Sequence, residues 1–362
     1  MKTTLYKLFL IAAFFPALAF CNNGPRGKHT EEKKISKEFN VSANSNLTID
    51  NSYGSIDIST WDQNKVSIQV IIKTSGNDEE AVKKKLDDIT VDFSQTSSGV
   101  SAKTRYSKSN KSWWSELFGS SNNVNMEINY IVKAPARNNM DISNDYGSIF
   151  IDKLLGNSRI SCDYGKLDIG ELRGNSNHLS FDYTRKSHIG YVKNAEISAD
   201  YSEYVIEDAE RLDVNADYTD SRIMKVELLK FSCDYGSLEV DKVKKIAGSG
   251  DYLSTKIGRV YNSLDMSVDY GALSIQKIMK GASEIKVSSD YAGVKVGYDP
   301  EMDFSFNVHT SYADVDGMED LEVQKRHQQS TDKDFEGYYR NANSGSSIHI
   351  NSSYGSVSFE KQ

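Results

Sequence analysis

Nine Asp-Tyr pairs set a carboxylate beside a phenol, at Tyr146, Tyr164, Tyr183, Tyr201, Tyr218, Tyr235, Tyr252, Tyr270 and Tyr291. Such a file of acids has two chemistries open to it. Each carboxylate can accept from the amide two residues on and so close a bend. Alternatively, the file can hold hard divalent cations such as calcium. Like charges one repeat apart repel by roughly 1 kcal/mol per neighbouring pair in water, so something must offset them. The bend reading is preferred here, with Lys166, Arg185, Lys256 and Lys295 as nearby counter-charges. Acid–base catalysis would need acids gathered with a Lys or Arg. Glu203, Asp220, Glu239 and Lys256 are the candidates that neighbouring repeats could bring to one face, and solvated surface charge is the preferred reading of them. His29, His178, His188, His309, His327 and His349 show no metal-ligand spacing. No nucleophile elbow, phosphate-binding glycine loop or dinucleotide fingerprint occurs. The sequence therefore assigns no catalytic residue, no metal ligand and no cofactor.

The spacing of those pairs dictates the elements that carry them. Successive gaps are 18, 19, 18, 17, 17, 17, 18 and 21 residues, and Ser-Tyr variants stand at Tyr53, Tyr312 and Tyr354. Twelve of the 21 tyrosines thus occupy one motif position, the signature of a repeat architecture. Within a copy, Ile160, Cys162 and Tyr164 alternate, then Leu167 and Ile169 alternate with the parity shifted by one. Two short strands around a Gly165-Lys166 bend fit this, and no helix does. So short a unit cannot bury its own apolar face, and stacking on its neighbours solves that. The predicted fold is all-β: a right-handed parallel β-solenoid (β-helix) with about 17–21 residues per coil, rising about 4.8 Å per coil. No proline interrupts residues 136–299. In that winding Tyr146, Tyr164, Tyr183, Tyr201, Tyr218, Tyr235, Tyr252, Tyr270, Tyr291 and Tyr312 form one inward ladder, and Ile149, Leu167, Leu238, Leu273 and Val294 a second. The aspartates from Asp145 to Asp290 point outward. A buried central tyrosine replaced by Ala would then cost roughly 3 kcal/mol or more.

The ends are elaborated. Residues 38–137 read as a β-rich N-terminal cap with one helix, from an Asn77 N-cap with Glu80 completing a capping box, and Val82, Leu86 and Ile89 on one face. Residues 138–316 hold the repeats, 317–346 a polar loop, and 347–362 closing strands. Trp113, Trp114 and Phe118 cluster in a Ser/Lys/Asn-rich loop and could contact a partner. The alternative is an aromatic flap folded onto the repeats.

Residues 1–19 have the layout of a secretory signal: Lys2 and Lys7, an apolar run, then Pro16 to Ala19. Residues 20–37 read as a flexible leader, with Cys21 a possible lipid anchor although Phe20 fits such a signal poorly. No segment has the length of a membrane span. Cys162 and Cys233 would lie four repeats apart, roughly 19 Å, beyond disulfide reach. The net charge of −8 argues against a nucleic-acid partner.

Leu47-Thr48-Ile49-Asp50-Asn51-Ser52-Tyr53-Gly54-Ser55, the Val132 to Pro135 lead into Met140-Asp141-Ile142, and Ser352-Ser353-Tyr354-Gly355-Ser356-Val357 resemble a bacterial family of putative adhesins. These are exported β-strand-repeat proteins of the single-chain β-helix type. The resemblance spans about residues 38–360. It implies export to the periplasm, the outer-membrane surface or the medium, and carries over no catalytic residue. The expected function is a non-catalytic envelope interaction protein binding a protein or glycan. A carbohydrate-active enzyme on a β-helix and a calcium-binding structural protein are the alternatives.

Overall fold

The computed structural model describes residues 27–107 and 124–362. They are all-β apart from one helix, Glu79–Asp87. Two rows of strands dominate. The row before each motif tyrosine includes Asn139–Asp145, Ser158–Asp163 and Asn177–Asp182, each paired in parallel with its counterpart one repeat away. Ile142, Ile160, Leu179, Ile197, Val214 and Phe231 are aligned in register and buried. The row after the tyrosine includes Ile149–Leu154 and Leu167–Leu172, and it aligns Ile151, Ile169, Ile189 and Ile206. Parallel ladders buried on one face need this unbroken apolar file, because each side chain meets its equivalent above and below. Towards the middle the strands fuse across corners, the longest being Val226–Asp251. Side-chain size on the buried face varies from copy to copy. Phe231 fills space over Gly248, where a Cβ would lie 2.5 Å from the Phe231 ring.

Both ends depart from the repeat. Residues 29–37, expected as part of a flexible leader, are instead strand: His29–Asn40 runs antiparallel to Lys65–Gly76, which runs antiparallel to Asn125–Pro135, which is parallel to Ile56–Trp61. Ile89–Thr96 and Gly99–Tyr106 form an antiparallel pair set beside Asn46–Ser52. The helix packs on this region through buried Val82, and Lys33 Nζ donates to the Leu86 and Ile89 carbonyls at 3.3 and 2.8 Å. Its N-cap is Asp78, not Asn77: the Asp78 carboxylate accepts from the Ala81 amide at 3.0 Å. The Asn77 side chain is instead turned to the Lys28 amide.

The C-terminal end holds two surprises. Residues 317–346, expected as a loop, contain Glu322–Gln328 and Asp332–Tyr339, an antiparallel pair that extends Phe304–Ser311. The copy that comes last in sequence is also not last in space. Ser347–Ser353 is parallel to Glu284–Asp290 on one side and to Phe304–Ser311 on the other. The chain therefore leaves a vacant position and returns to fill it.

Candidate functional site: an exposed tyrosine column

The motif tyrosines align, but not inside. All twelve have φ between 51° and 65°, the left-handed region, which side-chain-bearing residues seldom adopt. That single residue performs the parity shift that the sequence assigned to Gly165-Lys166. It turns the ring out of the core, so Tyr146, Tyr164, Tyr183, Tyr201, Tyr218, Tyr235, Tyr252, Tyr270, Tyr291 and Tyr312 are exposed. The inward ladder is thus corrected to an external one. Corner pairing survives the turn: the Tyr146 amide donates to the Asp163 carbonyl at 2.8 Å, and Tyr164 to Asp182 at 3.0 Å. Where Thr184, Ser202 and Thr219 follow the tyrosine in place of glycine, hydroxyls brace the corner. The Thr184 amide donates to Ser202 Oγ and the Ser202 amide to Thr219 Oγ1, both at 3.1 Å.

Outside, the rings stack. From Tyr53 through Tyr146 to Tyr291 the centroids are 4.8–5.1 Å apart, with planes within 9° of parallel. Tyr354 then stands between Tyr291 and Tyr312, at 4.6 and 4.9 Å. Tyr106 closes the Tyr53 end edge-on at 6.5 Å. Along the column from Tyr146 to Tyr354 both faces of each ring are covered by stacking, and edges and hydroxyls meet solvent. No ladder hydroxyl has a protein hydrogen-bond partner among the described residues. Burial and the neighbouring phenols push the hydroxyls of Tyr235 and Tyr354 above the ordinary tyrosine range, so both are donors at neutral pH.

The aspartates do face outward beside the column, yet their partner is not the amide two residues on. The carboxylate of Asp163 accepts from the Asp182 amide at 3.3 Å, Asp182 from Asp200 at 3.1 Å, and Asp200 from Asp217 at 3.2 Å. Asp217, Asp234 and Asp269 act likewise toward the next copy. Each bond uses one carboxylate oxygen and leaves the other outward. Burial, then the flanking carboxylates, raises Asp145 and Asp251 above the usual range. Burial raises Asp182 too, opposed by the Asp200 amide and helped by Asp163 and Asp200. Among the described residues no group of three or more His, Cys, Asp or Glu is arranged to hold a metal ion.

A third file lies two residues before the aspartates and was not singled out from the sequence. Ser143, Ser161, Ser180 and Ser198 pair in register, and after Asn215 the file resumes at Ser232, Ser249, Ser267 and Ser288. None of these hydroxyls has a protein partner among the described residues. The signal was available in the repeat, since one outward position holds serine in nearly every copy.

The suggested acid–base group does not gather. Glu239 faces Lys256 across the ladder but is paired with Arg222 at 3.3 Å, while Asp220 sits two positions along and accepts from Ser237. Cys162 and Cys233 are buried and free, and burial pushes both thiols up to about 12. Trp113, Trp114, Phe118, Cys21 and the signal-like residues 1–19 lie outside the described residues. No described helix is long and apolar enough to cross a membrane.

No family model and no curated protein matches the sequence. Solved structures similar to this chain include a putative adhesin from Parabacteroides distasonis at 8% identity and TM-score 0.34, covering 91% of this chain and 97% of that one. A putative adhesin from Parabacteroides merdae is similar at 7% identity and TM-score 0.33, covering 93% and 98%. A putative lipid binding protein from Parabacteroides distasonis has 10% identity and TM-score 0.30, covering 90% and 96%. At these scores no activity or partner transfers to this chain.

Proposed function

We propose that this protein is an exported, non-catalytic β-solenoid, wound right-handed, that presents a long face to a protein or glycan partner in the cell envelope or outside the cell. The observation that carries the reading is the unbroken column of twelve stacked tyrosines, eleven of them exposed to solvent. An aromatic strip this long, left uncovered, is what interaction surfaces carry and what ordinary solvated faces avoid. The parallel in-register rows supply rigidity, holding the rings in place before any partner arrives. Residues 38–137 serve as the N-terminal cap of that winding, 1–19 as the export signal, and Trp113, Trp114 and Phe118 as an additional contact. The test is recovery from envelope fractions by the immobilised mature chain, compared with a Tyr201→Ser/Tyr218→Ser variant. A ligand retained by the parent chain and lost by the variant is expected. Equal retention by both, or no ligand at all, would overturn the reading.

A further inference from the structure

We infer that the tyrosine column and its two flanking files form a linear binding track for an extended β-1,4-linked glycan that is neutral or carries amines. The inference rests on the interaction function proposed above and names its partner class. Three observations lead to it.

The first is pitch. Phenols repeat every 4.6–5.1 Å along the column, and the in-register strands impose that repeat on the carboxylate and serine files as well. An extended β-1,4-linked chain advances by a closely similar distance per sugar and turns each sugar over relative to the last, so one sugar lies over each copy and every second sugar presents the same edge to the track. A peptide strand advances about 3.3 Å per residue and falls out of step with the track at once.

The second is unused hydrogen-bonding capacity. The copies of Asp163, Asp182, Asp200, Asp234 and Asp269 each offer a phenol O–H, one carboxylate oxygen left over from its bond to the next amide, and a serine hydroxyl about 6.6 Å further along the strand, and the Asp217 copy offers Asn215 in place of the serine. Donors and acceptors that mix in this way across a strip one sugar wide match a pyranose edge, with its alternating hydroxyls. The phenols present edges rather than faces, so recognition here is by hydrogen bonding along the chain and not by stacking of sugars onto rings.

The third is charge. The file of aspartates disfavours an anionic polymer and favours sugar hydroxyl or ammonium donors. A second copy of this chain shares the pitch, but it brings another carboxylate file and a net charge of −8 against the first.

Because the contacts are repeated, affinity grows with chain length until the track is filled. The experiment titrates the mature chain with cello- and chito-oligosaccharides of increasing length, with carboxymethyl cellulose as the anionic control and sedimentation as the measure of self-association. Expected is a gain of about tenfold or more from short to long oligomers, with weaker binding to the carboxymethylated polymer. Tyr201→Ser/Tyr218→Ser should lose that gain. So should Ser198→Gln/Ser232→Gln, whose changes lie on the solvent side and leave the core untouched. Length-independent binding, equal binding of the anionic polymer, or unchanged binding by the folded serine variant would overturn the inference. Column-dependent self-association without glycan binding would overturn it in favour of a second copy. Column-dependent capture of an envelope protein without glycan binding would overturn it while leaving the proposed function standing. Capture of nothing would remove both.

Discussion

A tyrosine held in the left-handed region gives up about 1–2 kcal/mol of backbone energy, and twelve of them do so in register. Stacking is the compensation. An aromatic pair contributes about 0.5–1.5 kcal/mol beyond burial, and an interior ring has two such neighbours. Tyr235, 43% exposed between Tyr218 and Tyr252, leaves no cavity when truncated. Tyr235→Ala is therefore expected to destabilise by about 1–3 kcal/mol, and the cavity contribution of a core deletion is absent. Tyr312, 59% exposed with a single stacked neighbour, should lose about half as much on the same change. Urea unfolding checks both, and equal losses would argue against stacking as the source. Backbone strain is separable by a second pair. Tyr218→Gly should be at least as stable as Tyr218→Ala, because glycine takes φ near 53° freely. A more stable Ala variant would contradict the left-handed corner. The spacing of these tyrosines was legible in the sequence, while their orientation was misread by extending the alternation one residue too far. A clue was present: inward positions vary among Ile, Leu, Val, Phe, Met and Gly from copy to copy, yet the motif position is always tyrosine. A buried position would not insist on a hydroxyl that lacks a partner.

At the scale of strands, the aspartate file shows one set of side chains both joining copies and opposing them. The carboxylates bind the next copy's amide and repel one another. Burial and that repulsion raise Asp145, Asp182 and Asp251 in the folded chain. A raised carboxylate contributes stability below its unfolded pKa and loses it as the pH rises through the folded value. At neutral pH the file is accordingly at its least favourable. Asp182→Asn keeps an oxygen for the Asp200 amide and removes a charge. It is expected to stabilise by at most about 1 kcal/mol near neutral pH, less in salt. The advantage should vanish below the ordinary aspartate value of about 3.9. Melting the two proteins across that range decides it, and a gain that persists in acid would count against repulsion. The outward direction of the file followed from alternation. Its partner did not, because a bond between copies cannot be seen within one copy. The two repeat cysteines fit the same inner register. Their thiols, raised to about 12 by burial, should resist alkylation in the native chain and react once urea unfolds it. Peptide mapping of labelled Cys162 and Cys233 is the check, and rapid native labelling would show that the corners open.

For the molecule as a whole, stacking makes stability a sum of nearest-neighbour interfaces, so a copy's place in space matters more than its place in sequence. Periodicity revealed the copies and the N-terminal interruption, since both are local patterns. It could not reveal that Ser347–Ser353 slips between Glu284–Asp290 and Phe304–Ser311, because a residue pattern carries no record of the order in which strands pair. The polar segment before it was equally opaque: Glu322–Gln328 is largely exposed, and its charges suit an edge that must not recruit further strands. The consequence is measurable. Chain termini ordinarily fray and exchange their amides quickly. Here the amides of Ser347–Ser353, bonded on both sides, should be protected as well as those of Leu253–Asp269 in the middle of the stack. Truncation after residue 346 removes two interfaces at once, so Phe304–Tyr339 should then exchange rapidly while the copies from 139 to 298 keep their protection. Fast exchange of the last copy in the intact chain would place it at the end of the stack, and with it would go the shared column that seats Tyr354 between Tyr291 and Tyr312.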